Sequence, residues 1–431
     1  MKRLNLKFLL TALGVAAMLW STAAAQQTVT MWTFLNPTGT APREVALAQM
    51  ITDFEAENPD ITILVEQQVW DQMTPKFLAA HSVGNAPDII WVSTDLLGDV
   101  IDSGSLADLN GLFMNDWTDD YRADITDSYY ELCNVDGSQY CLFTSRNYIG
   151  VLYRKDFFEE AGIDAAEIDT WADFRAAAEA LTVIDDGGTV TRWGFGQQFS
   201  PDFPDPQMYV PLVLEQQPDI FNEDGTPAWA TEAGVAAMEE MTSYVSPQGP
   251  TPPASVNYSA EDLYELYAAG RMAMITGASV RVSTMQQQIG AENVGFMLWP
   301  SQDGEGNAPS PALGWGVGVW SGSDVQEAAG AFLDYMTGSA ADQLWVEVGG
   351  QIPMRQGTIS AMEEFFAEPA NEYVIAAAEG ITNNSWVAPI AFPIGGYRQD
   401  LNQAAQDVIL HGADPATALE EAEADFLRRN Q

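Results

Sequence analysis

The stretch from Arg43 to Val69, REVALAQMITDFEAENPDITILVEQQV, sets the fold class because it contains a helix, a stop signal and a strand in direct succession. Apolar residues recur every three to four positions in its first half, at Val45, Ala48, Ile51 and Phe54. This spacing predicts an amphipathic helix buried along that face, and Asn58-Pro59 predicts its end. Alternating apolar residues from Ile61 onward then predict a strand.

The segments on either side of this stretch extend the same alternation. Residues 28–33, TVTMWT, predict a strand before the helix, and residues 71–84 predict a second helix after it. The short apolar run DIIWV at 88–92 predicts a buried strand. The order β-α-β-α-β predicts an α/β fold with a parallel sheet, whose ligands bind at the carboxyl ends of the strands.

The N-terminus has the layout of a secretory signal. Basic residues at Lys2, Arg3 and Lys7 precede the apolar run Phe8–Trp20, and small residues follow at Ala23–Ala25. The run is too short to span a bilayer, so we expect residues 1–25 to be a cleaved signal peptide. Since no cysteine lies near the cleavage site, we expect a periplasmic protein without a lipid anchor.

The chain has 431 residues and a formal net charge of −44, with 17 Lys and Arg against 61 Asp and Glu. Such a surface repels nucleic acids and anionic lipids, so the charge excludes a nucleic-acid partner. Because only 18% of the residues are charged and 47% are hydrophobic, the composition predicts packed globular domains rather than disorder.

The two cysteines, Cys133 and Cys141, flank an Asp-Gly turn. In an oxidising compartment this spacing favours a disulfide across a hairpin. Two unrelated free thiols are the alternative interpretation.

No motif of a known catalytic or metal site is present. The chain lacks H-E-x-x-H, G-x-S-x-G, a P-loop and a dinucleotide-binding glycine motif, and His81 and His411 lack metal-ligand spacing. Paired carboxylates are harder to exclude, because 61 acidic residues create close pairs by chance. We expect no cofactor, no metal and no enzymatic activity.

Aromatic residues at predicted strand ends and loops are the more informative signal. They are Trp32, Trp70, Trp91, Trp193, Trp229, Trp299, Trp315, Trp386 and Tyr397. An indole face suits the C–H face of a sugar ring, although core packing is the simpler interpretation for any one of them. We assign Trp91 and Trp171 to the core.

The strand-like segment GWGVGV, residues 314–319, has glycine at every second position. One face is therefore bare, which marks a close approach of another chain segment or a ligand. Trp315 on the opposite face either points into a binding cleft or packs beneath a helix, and we favour the cleft.

Taken in order, these segments resemble the extracellular solute-binding proteins of ABC importers, in particular the family 1, maltose-binding-protein-like sugar-binding group. The matching segments lie at 29–33, 50–63, 84–95, 102–109, 137–163, 169–182, 267–277, 314–319, 327–338, 349–355 and 414–426. They cover most of the chain beyond residue 25. Each segment is weak alone, and their shared order carries the resemblance.

The resemblance implies two α/β lobes, a periplasmic binding protein-like fold of type II, with the ligand enclosed between the lobes by hinge closure. The expected first lobe comprises residues 26–145 and a return segment at 300–340. The expected second lobe comprises residues 146–299 and 341–431. The resemblance also implies a carbohydrate ligand, permease subunits in the inner membrane as partners, and a monomer.

Site residues follow from matching positions in the family. Asp95 lies where the group has a carboxylate that accepts sugar hydroxyls, Asn147 where it has a polar contact, and Tyr397 near an aromatic platform. A tryptophan common in the family is absent where this chain has Ser279 and Arg281. The full expected ligand-binding set is Trp32, Trp70, Asp95, Arg146, Asn147, Gln197, Ser279, Arg281, Trp315, Tyr397 and Arg398.

Three alternatives remain open at this point. The same fold could bind a polyol, a glycerol phosphate or a sugar acid, with a clamp among Arg146, Arg281, Arg355 and Arg398. A secreted glycoside hydrolase would need two carboxylates at a defined separation. An iron-binding exported protein would need clustered tyrosines or carboxylates.

Overall fold

The computed structural model describes residues 26–201, 205–388 and 396–430, with the side chains of Asp95, Ser128 and Tyr129 outside that description. The expected signal peptide, residues 1–25, lies outside the described residues.

The described residues form strands and α-helices that alternate along most of the chain. The strands are β1 (Gln27–Thr33), β2 (Ile61–Gln67), β3 (Ile89–Ser93), β4 (Asn134–Val135), β5 (Ser138–Gln139), β6 (Leu142–Arg154), β7 (Val183–Ile184), β8 (Val190–Gly196), β9 (Met272–Ala278), β10 (Val294–Met297), β11 (Ser310–Val319) and β12 (Ser385–Trp386). The helices are α1 (Pro42–Glu57), α2 (Trp70–Ser82), α3 (Leu97–Asp102), α4 (Leu109–Leu112), α5 (Asp119–Ala123), α6 (Asp127–Tyr130), α7 (Lys155–Ala161), α8 (Trp171–Ala180), α9 (Tyr209–Leu214), α10 (Glu232–Ser243), α11 (Ala260–Ala268), α12 (Val282–Ile289), α13 (Gln326–Met336), α14 (Ser339–Glu347), α15 (Gln356–Ala361), α16 (Glu363–Phe366), α17 (Glu372–Asn384), α18 (Tyr397–His411) and α19 (Pro415–Arg429).

Strand pairing runs continuously in the order β2-β1-β3-β11-β6-β9-β8-β7. As the sequence predicts, β1 is parallel to both β2 and β3. The neighbouring pairs β3-β11, β11-β6 and β6-β9 are antiparallel, so the complete sheet is mixed. The long strands β6 and β11 are shared by both halves of this sheet.

The apolar core divides into separate clusters, and β6 and β11 pass between them. One cluster gathers β1, β3 and the helices on them, and includes Phe143 and Val317. Val151 packs in a second cluster with α8 and α18, and Leu152 packs in a third with α11 and α12. The chain therefore has the two-lobed α/β fold that the sequence predicts, with the second and third clusters in one lobe.

The three chain crossings between the lobes meet in a small cluster of their own. Tyr148 of β6, Ala312 of β11 and Ile352 pack together there. Trp345 and Met354 pack in the first lobe's cluster and Arg355 pairs with Asp124 there, so the chain passes into the second lobe only beyond residue 355, after the expected boundary at residue 340. Helix α14 packs on α1, and this contact keeps the chain in the first lobe beyond residue 340. The return segment of the first lobe was expected to begin at residue 300. Ala308 still packs in the second lobe's cluster, so the chain returns to the first lobe later than that.

Helix α1 is buried along a different stripe from the expected one. Its fully buried positions are Ala46, Leu47, Met50 and Phe54, whereas Val45 is 43% exposed. The expected face was wrong because periodicity alone allowed two overlapping stripes, and the packing of α14 and α13 against α1 selects the second.

Cys133 and Cys141 form the expected disulfide, and both residues are fully buried. The bridge immediately precedes β6. A Cβ atom built on Gly316 would lie 2.5 Å from Cys141 Sγ, and one on Gly314 would lie 2.6 Å from the carbonyl oxygen of Ser145. The bare face of β11 therefore accommodates the disulfide and the backbone of β6.

Candidate functional site

The middle of β6 carries four consecutive buried polar residues in an otherwise apolar strand. Thr144, Ser145, Arg146 and Asn147 are 4%, 1%, 0% and 8% exposed. They lie where β6 passes from one lobe to the other. Burying polar side chains is costly unless they bind something, so this polar segment is the centre of the candidate site.

Hydrogen bonds tie this part of β6 to Gln351 and to the end of β9. Ser145 Oγ donates to Gln351 Oε1 at 2.7 Å, which joins β6 to the chain segment next to Ile352 at the lobe junction. The backbone N–H of Tyr148 donates to Ser279 Oγ at 3.2 Å, which joins it to the end of β9. Among the described residues, Thr144 Oγ1 and Asn147 Oδ1 are buried and have no hydrogen-bond partner.

Trp315 lies beside the polar segment on β11. Its backbone pairs with Ser145 on one side and with Ser93, the last residue of β3, on the other. The indole is 9% exposed, and its ring centroid is 4.8 Å from that of Phe34, which follows β1. Trp315 is therefore at the carboxyl ends of the first lobe's strands, next to the lobe junction, and it also packs in the core.

Trp32 lies near the end of β1 and Trp70 begins α2, both in the first lobe. The Trp32 side chain is 8% exposed and donates from Nε1 to Glu66 Oε2 at 2.7 Å, while Lys76 Nζ lies 4.6 Å from its ring centroid. The ammonium group of Lys76 therefore already occupies one aromatic face of Trp32 in a cation–π contact. Trp70, the first residue of α2, is 50% exposed and presents far more surface.

Asp95 follows β3 in a short 3₁₀ turn, Thr94–Leu96. Its position at a strand end agrees with the expected location, and its side chain lies outside the described side chains.

The second lobe contributes Ser279 and Arg281 from the turn between β9 and α12. The Arg281 guanidinium pairs with Glu261 and lies 4.4 Å from the ring centroid of Tyr264. Gln197 is also buried in this lobe, but its Nε2 donates to the carbonyl of Met241 at 3.1 Å. The amide N–H group of Gln197 is therefore already used in a hydrogen bond to the backbone of its own lobe.

Tyr397 and Arg398 begin α18. Tyr397 is 4% exposed, and its ring makes edge contacts with Phe221 and Trp386. Arg398 donates from Nε to the Tyr397 hydroxyl at 3.1 Å and pairs with Asp205 at 3.6 Å. These two residues are integrated into the second lobe's core and its edge.

The structure thus brings together Arg146, Asn147, Ser279 and Trp315 at the lobe junction, with the backbone of Asp95 close to Ser93 and Trp315. Trp32, Gln197, Tyr397, Arg398 and Arg281 bond or pack within their own lobes, and Trp70 is half-exposed at the start of α2. Sequence reasoning missed Thr144, Ser145 and Gln351. The run TSRN inside an apolar strand was a usable signal for the first two, whereas Gln351 joins the site only through its bond to Ser145.

Metal chemistry and membrane insertion receive no support within the described ranges. No group of three or more His, Cys, Asp or Glu side chains there could hold a metal ion. No helix among those residues has both the length and the apolarity needed to cross a bilayer.

Comparison with known proteins gives a consistent result. The family model described as bacterial extracellular solute-binding protein matches residues 49–372. A putative binding protein of Brucella abortus is 25% identical over 96% of both chains. The arabinooligosaccharide-binding protein of Halalkalibacterium halodurans is 24% identical over 70% of this chain and 67% of its own.

A solved structure shows the same fold. The ABC substrate-binding protein of Listeria monocytogenes in complex with cycloalternan superposes with a TM-score of 0.79 at 23% identity, covering 94% of this chain and 99% of the other.

Proposed function

Because this chain belongs to the bacterial extracellular solute-binding protein family, we propose that it is the carbohydrate-binding component of an ABC importer. It captures a mono- or oligosaccharide between its two lobes and delivers it to permease subunits in the membrane. Members of the family are binding proteins, so the sugar leaves chemically unchanged.

The observation that carries this proposal is the buried polar segment of β6 beside Trp315. A sugar ring has apolar C–H faces and a rim of hydroxyl groups that donate and accept hydrogen bonds. Among the described residues, Thr144 Oγ1 and Asn147 Oδ1 are buried without hydrogen-bond partners, and Trp315 offers an aromatic surface next to them. Such a site rejects a wrong epimer because a buried donor or acceptor is then left unpaired.

The relatives support this ligand class. One relative named above binds arabinooligosaccharide, and the structurally similar Listeria protein was solved with a cyclic oligosaccharide. The global negative charge of this chain is compatible with a ligand that is recognised by hydrogen bonds and stacking.

We further propose the residue assignments of the site. Asp95, Arg146, Asn147, Ser279 and Trp315 contact the sugar. Trp32, Trp70, Gln197, Arg281, Tyr397 and Arg398 shape the outer parts of the cleft. The mature protein is an exported periplasmic monomer that begins after residue 25.

The first experiment is a thermal-shift screen of the mature protein against neutral sugars, oligosaccharides, polyols, sugar acids and glycerol phosphate. A ligand at one hundred times its dissociation constant adds about 2.7 kcal/mol to the stability. We expect a stereospecific shift with a carbohydrate and micromolar or tighter binding, about −8 kcal/mol, by calorimetry. Turnover of that carbohydrate, or silence across the carbohydrate panel, contradicts the proposal.

A matched pair of variants tests the site. Thr144→Val removes the unpartnered hydroxyl at the junction and should weaken binding of the carbohydrate identified in the screen. Thr74→Val removes another buried, unpartnered hydroxyl from α2 in the first lobe, and it should leave the affinity unchanged. Equal affinities of the two variants would remove Thr144 from the site.

A further inference from the structure

Strand β6 contains one extra residue where it pairs with β11. Trp315 lies opposite Ser145, but the next residue of β11, Gly316, lies opposite Phe143. Thr144 therefore has no partner residue on β11 and forms a β-bulge. The bulge separates the first-lobe end of β6, where Phe143 packs in that lobe's core, from the rest of the polar segment at the lobe junction.

The bulge decides which side chains of β6 share a face with Trp315. In a regular strand, Cys141 and Asn147 would lie on the same face, because they are an even number of positions apart. A Cβ built on Gly316 would lie 2.5 Å from Cys141 Sγ, so Cys141 is on the glycine face of β11. Asn147 lies opposite Leu313, which shares the other face of β11 with Trp315. The extra residue has therefore turned Asn147 toward the face that carries the indole.

The disulfide fixes β6 on the first-lobe side of the bulge. Cys141 is bonded to Cys133, and both residues are fully buried in the first lobe's cluster. Gln139, which is 0% exposed, donates from Nε2 to the carbonyl oxygens of Tyr130 and Cys141 at 2.9 and 2.8 Å. Because Cys141 Sγ fills the space beside Gly316, β6 cannot slide along β11 unless the disulfide moves.

A slip of the register at the bulge would reverse the binding face. If the extra residue were absorbed into a regular ladder, Asn147 would point to the face opposite Trp315. Asn147 is 8% exposed, and its Oδ1 has no hydrogen-bond partner among the described residues. The direction of this acceptor therefore depends on the backbone of β6 rather than on a hydrogen bond to the oxygen itself.

We propose that the Cys133–Cys141 disulfide is a positioning element of the binding site, because it holds the bulge at Thr144 and so keeps Asn147 on the face of Trp315. This inference rests on the proposed carbohydrate-binding function and adds to it a pair of residues that acts on the ligand through Asn147. Both cysteines are buried in the first lobe's core, so they do not contact the ligand themselves. Removing the disulfide should weaken carbohydrate binding in a protein that is still folded.

The first test measures carbohydrate binding without the disulfide. The Cys133→Ser/Cys141→Ser variant is titrated by calorimetry with the carbohydrate identified in the screen, at a temperature where circular dichroism shows it to be folded. We expect its dissociation constant to rise about tenfold or more. Met50→Ala removes a fully buried side chain from α1 in the same lobe and controls for lost stability, so its dissociation constant should stay within about twofold. A double variant that binds as tightly as the wild type contradicts the proposal.

A milder pair of variants gives the answer if the double variant does not fold. Gln139→Met keeps the disulfide but removes both hydrogen bonds from Nε2, and it should raise the dissociation constant about threefold or more. Gln217→Met removes a matching pair of bonds, to the carbonyl oxygens of Asp219 and Ala228, and should leave the affinity unchanged. Equal affinities of these two variants would overturn the positioning role.

A double-mutant cycle shows whether the disulfide acts through Asn147. Asn147→Ala alone should weaken binding about tenfold. In that background, removal of the disulfide should weaken binding by less than about threefold, because the side chain that it positions is already absent. A further loss as large as in the wild-type background would show that the disulfide does not act through Asn147, and the proposal would be wrong.

The two proposals fail in different ways. If the wild type binds a carbohydrate and neither the loss of the disulfide nor Gln139→Met changes the affinity, the positioning role is wrong and carbohydrate binding stands. If no carbohydrate in the screen binds, the proposed function fails and the positioning role fails with it.

Discussion

The two long strands that cross between the lobes pair side by side, yet their side chains are opposite in kind. β6 buries Thr144, Ser145, Arg146 and Asn147 in succession, whereas β11 has glycine at 314, 316 and 318. The backbone register shifts between Trp315 and Gly316, at the point where the two strands adjoin the disulfide. Strand β6 therefore carries the buried polar side chains, whereas the glycines of β11 leave room for β6 and the disulfide to pack against it.

This contrast between β11 and β6 suggests that one strand is shaped by packing and the other by ligand binding. A Cβ on Gly314 or Gly316 would collide with Ser145 or with Cys141, so β11 must be bare for the strands to pair at all. Thr144 and Asn147 of β6 have no comparable structural need, since Thr144 Oγ1 and Asn147 Oδ1 lack hydrogen-bond partners among the described residues. Changes in β11 should therefore act on stability, and changes in β6 mainly on binding.

We expect the largest loss in the free energy of unfolding for Gly316→Val. The new Cβ would lie 2.5 Å from Cys141 Sγ, and the disulfide prevents that sulfur from moving away freely. Overpacking of this kind costs about 3 kcal/mol or more of unfolding free energy, measured by urea denaturation. Gly111→Ala is the control, because a Cβ there meets nothing within 4 Å, and it should be neutral. Equal stability of the two variants would show that the bare face of β11 is dispensable.

Reduction of the Cys133–Cys141 disulfide should cause the next largest loss in the free energy of unfolding. The bridge closes a loop with a sequence separation of 8, for which chain entropy predicts about 2.5 kcal/mol of stabilisation. The Cys133→Ser/Cys141→Ser double variant should show the same loss in urea, and reductant should not destabilise it further. A reduced protein as stable as the oxidised one would contradict a role for the bridge in holding the start of β6.

Trp315→Leu tests the aromatic residue on the glycine strand. Leucine keeps an apolar contact with Phe34 but removes the flat indole, so we expect affinity for the carbohydrate to fall more than tenfold, about 1.4 kcal/mol. Trp117→Leu, in the first lobe and bonded to Asp334, is the control for loss of an indole elsewhere. Unchanged affinity in Trp315→Leu would mean that Trp315 is purely a core residue.

Ser145→Ala should give the smallest change in stability. It removes the hydrogen bond to Gln351 and leaves the buried Gln351 Oε1 without this donor, which costs about 1 kcal/mol. Because that bond joins β6 to the segment next to Ile352 at the lobe junction, the variant should also alter the rate of ligand release in stopped-flow measurements. A loss in stability with an unchanged release rate would limit Ser145 to a structural role.

The fold was largely predictable because its signals are local. The β-α-β-α-β order of residues 28–92 and the hairpin disulfide both depend on residues close in sequence. Trp91 and Trp171 were also correctly assigned to the core, at 0% and 8% exposure. The site was less predictable, since Trp32 matched the expected strand end but carries Lys76 on its ring.

By itself, the sequence determined the secondary structure, the disulfide and the family, because periodicity, turn residues and segment order are written along the chain. Only the tertiary structure decided which stripe of α1 is buried, where the third crossing lies and that Ser145 bonds to Gln351. Those outcomes depend on how α14 packs on α1 and how β6 and β11 pair across the lobes. Contacts between residues hundreds of positions apart are set by packing geometry, which has no periodic signature in the sequence.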